Sequence, residues 1–361
     1  MTCSKPIRSL IMVFTSLWFV MGSGIPLQAD IQYVDDYVSF TQLARLPLRD
    51  LPNEEAWRQA APEVNEISIP RKSGEPDQPA LWFHSGSDRK KPLLLVLHSW
   101  SDDYLQHFGI PYGTFAVKND WIFMHPDFRG PFDNADATAS EKAIQDVLDA
   151  LAYARMHAPV DEQRIYVAGF SGGAMMSLIM IGRYPEHFSA ALIWVPVYDL
   201  NDWYNGLIRS GLHYRDHYMG DIEASCGGKP SQDEKAAAEC RKRSPSYYLA
   251  NARGKGVKVF ISGGVEDPFV PTSHAVRAFN ALAEERHVIA EADYLFIDRT
   301  KRLPERLKGQ GARNPFFESA GLPILFERTS QDTTLIIFDG GHDIVYNAGF
   351  EWLAKQQRVQ R

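Results

Sequence analysis

Short apolar runs alternate along most of the chain with longer stretches in which apolar positions recur every three or four residues. The first pattern predicts buried strands and the second predicts amphipathic helices. A hairpin is predicted at 64–69 and 79–83, followed by buried strands near Leu93, Trp121, Ile165, Ala190, Val257 and Leu335. Helices are predicted at 140–157, 172–183, 272–286 and 345–356. This order predicts an α/β fold, with a mostly parallel eight-stranded sheet and helices on both of its faces.

Two longer segments interrupt this alternation. Residues 199–256 are rich in tryptophan, tyrosine and charged residues, and they predict a cap insertion that covers the site. Residues 293–333 precede the last strand, and we expect them to add a strand at 292–297 and a loop near the pocket. Because the chain has neither an internal repeat nor a low-complexity linker, a single domain is expected over 30–361.

The amino-terminal 29 residues have the pattern of a secretory signal peptide. Lys5 and Arg8 precede an apolar run at 10–21, and small residues lead to Ala29. This run is shorter than the ~20 residues that a membrane-spanning helix needs, so we expect no span in the mature chain. The signal predicts a periplasmic or secreted protein. In such a protein, Cys226 and Cys240 are expected to form a disulfide.

Composition excludes several classes of protein. With 361 residues, 45% of them hydrophobic and 23% charged, the chain is neither disordered nor fibrous, and it is long enough for a large core. The formal net charge is −7, and it becomes two units more negative without residues 1–29, which contain Lys5 and Arg8 but no acid. Since nucleic-acid binding requires a basic surface, no nucleic-acid partner is expected.

The most informative motif is the pentapeptide 169–173, Gly-Phe-Ser-Gly-Gly, between the apolar run 164–168 and a predicted helix. A serine on a sharp strand-to-helix turn is held out toward a base and an oxyanion site. Glycines two residues to either side let the strand and helix approach closely. A phosphate-binding or dinucleotide-binding loop would need other residues, which this turn lacks. Ser171 is therefore predicted to be a nucleophile.

An acid and a histidine follow in the loops after two later strands. Asp267 follows the apolar run 257–261, where a carboxylate can orient an imidazole. His342 follows the final strand at 334–338, in a glycine-rich loop that suits a general base. Asp199 and Asp202 remain alternatives for the acid. Glu266 is a weaker one, because adjacent residues of an extended loop point to opposite sides.

An oxyanion site needs two N–H donors, of which Gly172 is predicted to supply the first. The second is expected in the loop after the strand at 92–97, where Trp100 is preferred and Ser99 remains possible. Neither a metal ion nor a cofactor is required. His213 and His217 are spaced to share one helical face, but without a third ligand they are interpreted as a surface pair.

These motifs resemble those of the α/β-hydrolase superfamily. The narrower resemblance, over roughly 64–357, is to the prolyl-oligopeptidase-like catalytic domain and related bacterial carbohydrate esterases, and it depends on 125–131, 243–245, the acid region 257–271 and 350–353. It implies a catalytic triad in the order serine, acid and histidine. The family usually has His-Gly where this chain has His98-Ser99.

The resemblance also implies a choice of substrate. Peptidase relatives carry a β-propeller, but about 34 residues between Ala29 and the first predicted strand are fewer than one ~40-residue blade. We therefore expect a site open to an esterified polysaccharide or oligosaccharide. Arg129 is expected to pair with a uronate carboxylate. Aromatic residues predicted to stack on sugar rings are Trp100, Tyr104, Trp203 and Tyr204. The sequence predicts a secreted serine esterase, with a serine peptidase and an inactive binding protein as alternatives.

Overall fold

The computed structural model describes residues 1, 31–34, 36, 38–71 and 74–358. Contacts divide the chain into two units, Met1–Ile31 and Gln32–Arg361, and the fold described below is that of the second. Apart from Met1, the predicted signal peptide lies outside the described residues. None of the helices in the described ranges has the length and apolar composition that a bilayer crossing needs.

In the described part of the chain, the central sheet has nine strands in the order β1-β2-β4-β3-β5-β6-β7-β9-β8. The five pairings from β4 to β9 are parallel, whereas β1, β2 and β8 join antiparallel at the two edges. The strands are β1 Asn65–Ile69, β2 Gln78–Phe83, β3 Lys91–Leu97, β4 Ile122–Pro126, β5 Val160–Phe170, β6 Ala190–Trp194, β7 Lys258–Gly264, β8 Ile324–Ser330 and β9 Thr333–Phe338.

Helices cover the sheet, as the alternating pattern predicts. They are α1 Phe40–Leu43, α2 Asn53–Ala60, α3 Ile110–Lys118, α4 Glu141–His157, α5 Gly172–Arg183, α6 Leu200–Arg209, α7 Arg215–Cys226, α8 Glu234–Lys242, α9 Pro245–Tyr248, α10 Thr272–Leu282, α11 Glu291–Thr300, α12 Pro315–Ser319 and α13 Tyr346–Ala354.

The core lies along both faces of the central strands. Every residue of β3, β4 and β6 is buried, which explains why these strands are continuous apolar runs rather than alternating ones. Helix α5 is buried from Gly172 to Gly182 and contacts the sheet directly behind the serine turn. The predicted mostly parallel α/β sheet is confirmed.

Two details of the prediction are wrong. The sheet has nine strands rather than eight, and residues 292–297 are part of helix α11 rather than a strand. Asp293 and Ile297 are the buried residues of α11, and their spacing of four follows a helical face. The additional strand is β8, which pairs antiparallel with β9 and forms one edge of the sheet.

The predicted insertion at 199–256 forms helices α6 to α9. The predicted disulfide between Cys226 and Cys240 is confirmed, and it joins the last residue of α7 to helix α8. A bond that closes this short loop restricts the unfolded chain and fixes the two helices relative to each other.

Candidate active site

Ser171 lies on a sharp turn between β5 and α5, at the carboxyl edge of the parallel sheet. Its backbone angles, φ 55° and ψ −114°, are in a region that favours glycine. A Cβ atom on Gly169 would lie 2.2 Å from the carbonyl oxygen of Gly173, and one on Gly173 would lie 2.0 Å from that of Leu97. Only glycine at both positions allows this close approach of strand and helix. The turn thereby places the serine hydroxyl above the end of the sheet.

His342 and Asp267 meet because their strands are neighbours. Strands β7 and β9 are parallel, with Gly264 opposite Phe338, so the loops that follow them leave the same edge. Imidazole Nδ1 of His342 donates a 2.7 Å hydrogen bond to Oδ2 of Asp267. This bond fixes the proton on Nδ1 and leaves Nε2 free to accept a proton.

Asp267 is held firmly in this position. Its other carboxylate oxygen, Oδ1, accepts hydrogen bonds from the backbone N–H groups of Phe269 at 2.8 Å and Val270 at 2.9 Å. The residue is only 2% exposed, so the three hydrogen bonds replace water around the charge. The carboxylate therefore has a single orientation, directed at the imidazole.

Two aromatic rings contact the imidazole of His342. The ring centroid of Phe170, the residue before Ser171, lies 4.7 Å from it, and that of Phe269 lies 5.2 Å from it. The imidazole therefore lies at the serine turn. In the described residues no hydrogen bond joins the Ser171 hydroxyl to His342 Nε2. Catalytic hydrogen bonds of this kind commonly tighten only in the substrate complex.

The alternative acids have other partners. Asp199 caps helix α6 through the backbone N–H of Asp202 and also accepts a hydrogen bond from Ser246. Asp202 forms an ion pair with Arg277. Glu266 is exposed. Of the four candidate carboxylates, Asp267 alone contacts the imidazole in the described structure.

The loop after β3 approaches the start of α5. A Cβ atom on Gly172 would lie 2.9 Å from the backbone nitrogen of Trp100, so the two peptide groups are close neighbours. The backbone N–H of Ser99 donates to Oε1 of Gln106 at 2.9 Å, which removes it from consideration. Within the described ranges, the Trp100 N–H donates to no protein acceptor. The geometry favours Gly172 and Trp100 as the pair of oxyanion donors.

The side chain of Trp100 does not face the solvent. The residue is 2% exposed, and its indole nitrogen donates a 2.9 Å hydrogen bond to Oδ2 of Asp221 in α7. Its ring packs at 4.8 Å against that of Trp203 in α6. The cap helices thus contact the loop that carries Trp100, the candidate for the second oxyanion donor.

The aromatic residues predicted to stack on sugars are buried instead. Trp203 and Tyr204 are 2% and 1% exposed, and they donate to the Phe269 carbonyl and the Glu223 carboxylate. Tyr104 is also buried and donates to Glu66. Together with Trp100, these side chains pack the cap and the loops. Their ring faces are covered by neighbouring side chains and are therefore not accessible for stacking on a sugar.

The position of Arg129 also corrects the sequence interpretation. Its guanidinium forms ion pairs with Asp146 at 2.8 Å and with Glu75. Asp146 is buried and also binds Arg71. A guanidinium held by two protein carboxylates stabilises the loop after β4. Its N–H groups are used in these ion pairs, so no pair of donors is left to bind the carboxylate of a uronate.

Sequence reasoning missed Gln106, Asp221 and Tyr218 as parts of this site. Tyr218 of α7 lies between the rings of Trp203 and Phe269, and burial raises the pKa of its hydroxyl. No local pattern identifies such residues, because they reach the site through the packing of the cap. The feature of the sequence that comes nearest to indicating them is the spacing of four between His217 and Asp221, which places the two side chains on one face of α7.

No cluster of three or more histidine, cysteine or acidic side chains in the described ranges is arranged to hold a metal ion. A cavity of about 230 Å³ lies against strand β9 and helix α13, lined by residues such as Phe260, Ile336 and Trp352. Neither Ser171 nor His342 lines that cavity.

Parts of the chain are similar to known proteins. Residues 132–295 match the model of the prolyl oligopeptidase family. The acylamino-acid-releasing enzyme of Mus musculus is 25% identical over 179 residues, which are 47% of this chain and 21% of that enzyme. An acetylxylan esterase of Coprinopsis cinerea is 29% identical over 112 residues, which are 28% of this chain and 30% of that protein. The chain thus matches less than a third of the length of either relative.

Among solved structures, a puromycin hydrolase mutant complexed with PGG superposes with a TM-score of 0.50 at 16% identity. The superposition covers 61% of this chain and 33% of the other. At this level of identity, the likeness concerns the fold alone. The family match and the fold agree: residues 132–295 are similar to the prolyl oligopeptidase family, and the sheet with its helices is similar to the fold of the puromycin hydrolase.

Proposed function

We propose that this protein is a serine esterase that removes acetyl, methyl or other ester groups from polysaccharide or oligosaccharide. The observation that carries the proposal is the arrangement at the sheet edge, where the strained Ser171 turn adjoins an imidazole oriented by Asp267. A hydroxyl, a base that can accept its proton and a pair of N–H donors are the groups that acyl transfer requires.

The reaction has two steps. Nε2 of His342 takes the proton of the Ser171 hydroxyl while the oxygen attacks the ester carbonyl, and the resulting oxyanion is held by the N–H groups of Gly172 and Trp100. The imidazolium, stabilised by Asp267, then protonates the departing alcohol. In the second step, water gives a proton to His342 and attacks the acyl-enzyme. Carboxylic acid leaves, and Ser171 recovers its proton.

The choice of an ester over an amide rests on the acetylxylan esterase similarity and on the sequence resemblance to carbohydrate esterases. Trp203 and Tyr204 are buried, but the half-buried ring of Phe269 lies beside His342, and the half-buried ring of Tyr218 lies against Phe269. In this proposal their faces pack against the sugar to which the ester is attached.

Export is part of the same proposal. Cys226 and Cys240 form a disulfide, a bond that persists in oxidising compartments, and the first 29 residues have the pattern of a signal peptide. A periplasmic or secreted location would bring the enzyme to extracellular polysaccharide.

A peptidase is the second candidate, favoured by the family match and by the similarity to an acylamino-acid-releasing enzyme. The same triad can cleave amides, so the substrate determines which function is correct. An inactive binding protein is the third candidate. A protein that only binds its ligand does not need an imidazole oriented by a buried carboxylate, as His342 is by Asp267.

A substrate panel tests the proposal. Purified protein is incubated with acetylated xylan, methylated pectin, glucuronoyl esters, feruloylated oligosaccharides and acylated peptides, and the released acid, alcohol or amine is identified. Release of an acid or alcohol from a sugar ester, absent in Ser171→Ala, supports the esterase. Cleavage of peptides alone would establish the peptidase, and no turnover of any ester or amide would leave the binding protein.

A further inference from the structure

Trp100 takes part in the candidate site through two different groups. Its backbone nitrogen adjoins Gly172 at the oxyanion site, while its indole nitrogen donates to Oδ2 of Asp221 at 2.9 Å. One residue therefore connects the oxyanion site to cap helix α7. A change that moves the indole can therefore also shift the backbone that carries the donor.

The peptide groups around Trp100 are anchored on both sides. The preceding N–H, that of Ser99, donates to Gln106, and the carbonyl of Trp100 accepts a 2.8 Å hydrogen bond from the N–H of Phe132. The indole bond to Asp221 is the third anchor. With these three contacts the Trp100 N–H has one direction, and a preorganised donor costs no reorganisation when the oxyanion forms.

Asp221 is suited to be a rigid anchor. It is 9% exposed, and burial raises the pKa of its carboxyl. Other charged groups near this carboxylate are His217, 3.5 Å away on the same helix, and Asp133 in the loop before α4. The disulfide from Cys226 to Cys240 holds the end of α7, five residues further along the chain. A buried indole N–H that loses its acceptor is costly, so the ring would be driven to another position.

We infer that Asp221 is a positioning residue for the oxyanion site. Through the indole of Trp100 it fixes the backbone N–H that stabilises the transition state. The inference rests on the proposed acyl-transfer function. It explains why the cap carries an aspartate that is only 9% exposed and that accepts a hydrogen bond from the indole of a tryptophan.

Four variants test the inference, with p-nitrophenyl acetate as the probe. Asp221→Ala removes the acceptor, Asp221→Asn keeps an acceptor oxygen, and Trp100→Phe removes the indole donor but keeps an aromatic ring and the backbone N–H. Asp216→Ala is the matched control, since Asp216 lies on the same helix and pairs only with Arg215 at the surface among the contacts described. The fraction of active protein is counted with a fluorophosphonate that labels Ser171, and thermal unfolding is measured for each variant.

The expected result is a loss that appears in kcat. Complete removal of an oxyanion donor typically costs 10²–10³ in kcat, so a misdirected donor in Asp221→Ala is expected to lower kcat per active site by about tenfold. KM should change by less than about twofold, because the interaction is made only in the transition state. In Trp100→Phe, kcat should fall by the same factor, and in a double variant that combines Asp221→Ala with Trp100→Phe it should fall no further. Asp221→Asn should recover most of the rate.

Several outcomes would overturn the inference. These are equal kcat per active site in Asp221→Ala and Asp216→Ala, additive losses in the double variant, or a loss explained entirely by a smaller active fraction. If Asp221→Ala does not fold, Asp221→Asn and Trp100→Phe decide the question with the same readouts.

Failure of the proposed function gives a different pattern. If the wild-type protein reacts with the fluorophosphonate but cleaves no ester, the proposed function fails. The rate of labelling then tests the inference, because the phosphonyl oxygen accepts hydrogen bonds from the same two N–H groups. Slower labelling in Asp221→Ala than in Asp216→Ala supports it, and equal rates overturn it. A wild-type protein without any labelling contradicts both.

Discussion

His342 donates its Nδ1 proton to Asp267 across 2.7 Å, although the two residues are 75 positions apart in the chain. The contact exists because β7 and β9 are parallel neighbours whose following loops interlock. A Cβ atom on Gly264 would lie 2.0 Å from the carbonyl oxygen of Gly341, and the N–H of Glu266 donates to Gly340. The orientation of the base is thus a property of the sheet edge.

Asp267→Asn should reduce kcat for ester hydrolysis by roughly three to four orders of magnitude. The amide can present an N–H to the imidazole, which then carries its proton on Nε2 and cannot accept the serine proton. Steady-state kinetics measure the effect. The neighbouring Glu266→Gln serves as the control, since Glu266 is exposed, and it should change kcat by less than about twofold. Equal effects of the two substitutions would remove Asp267 from the triad.

Ser171→Gly should unfold at higher urea concentration than Ser171→Ala, and both are expected to be inactive. With φ at 55° and ψ at −114°, the turn strains any residue that has a Cβ atom, at a cost of about 1–3 kcal/mol. Glycine relieves that strain but loses more chain entropy, so a net difference of about 1 kcal/mol is expected. Equal unfolding free energies for the two variants would show that the turn is not strained.

Gly173→Ala should destabilise the fold by roughly 3 kcal/mol or more, because the added methyl would lie 2.0 Å from the backbone oxygen of Leu97. Gly206→Ala in α6 is the matched control, since nothing lies within 4 Å of its added Cβ atom. The control should gain about 0.5–1 kcal/mol from helix propensity. Denaturant unfolding distinguishes the two. A folded Gly173→Ala protein of unchanged stability would contradict the close strand-to-helix packing.

His274 should make the fold less stable as the pH falls below about 6.5. The residue is 3% exposed, Nδ1 accepts the N–H of Tyr198, and burial, with a smaller contribution from Arg277, lowers its pKa to about 4. Between these pH values the unfolded chain binds a proton that the folded chain does not bind. Stability is therefore present above pH 6.5 and is lost toward pH 4, by up to about 1.4 kcal/mol per pH unit.

The variant His274→Gln isolates this contribution, because glutamine keeps an acceptor oxygen for Tyr198 and does not titrate. Urea unfolding from pH 7.5 to pH 4.5 should give a flatter stability curve for His274→Gln than for the wild-type protein. The exposed His213→Gln should give the wild-type curve. Parallel curves for His274→Gln and the wild type would show that His274 is protonated in the folded protein.

Local patterns were sufficient to predict the serine turn, the disulfide and the mostly parallel sheet apart from its edge strand β8. Continuous apolar runs identify strands that are buried on both faces, and the two glycines around Ser171 reflect a steric requirement that acts within a few residues. The run at 292–297 misled, because Tyr294, Leu295 and Phe296 favour a strand, whereas Asp293 and Ile297 are buried at helical spacing. Tertiary packing decided the outcome in that segment.

The lining of the site could not be predicted in the same way. Trp203 and Tyr204 belong to an insertion, where the same composition is compatible with a binding surface or a packed core, and the structure places them in the core. Whether the N–H of Ser99 is free to bind an oxyanion depends on Gln106, seven residues further along the chain, because the Gln106 side chain accepts a hydrogen bond from that N–H. Such relationships arise from how loops pack against each other, and no short sequence pattern encodes them.

The identity of the nucleophile is tested most directly by trapping the acyl-enzyme. Wild-type protein is mixed with p-nitrophenyl acetate, quenched in acid within the first turnover, digested and analysed by mass spectrometry. One acetyl group on the peptide that contains Ser171, lost on longer incubation and absent in Ser171→Ala, is the predicted result. Full ester turnover by Ser171→Ala, or a transient acetyl group on another residue, would contradict the account.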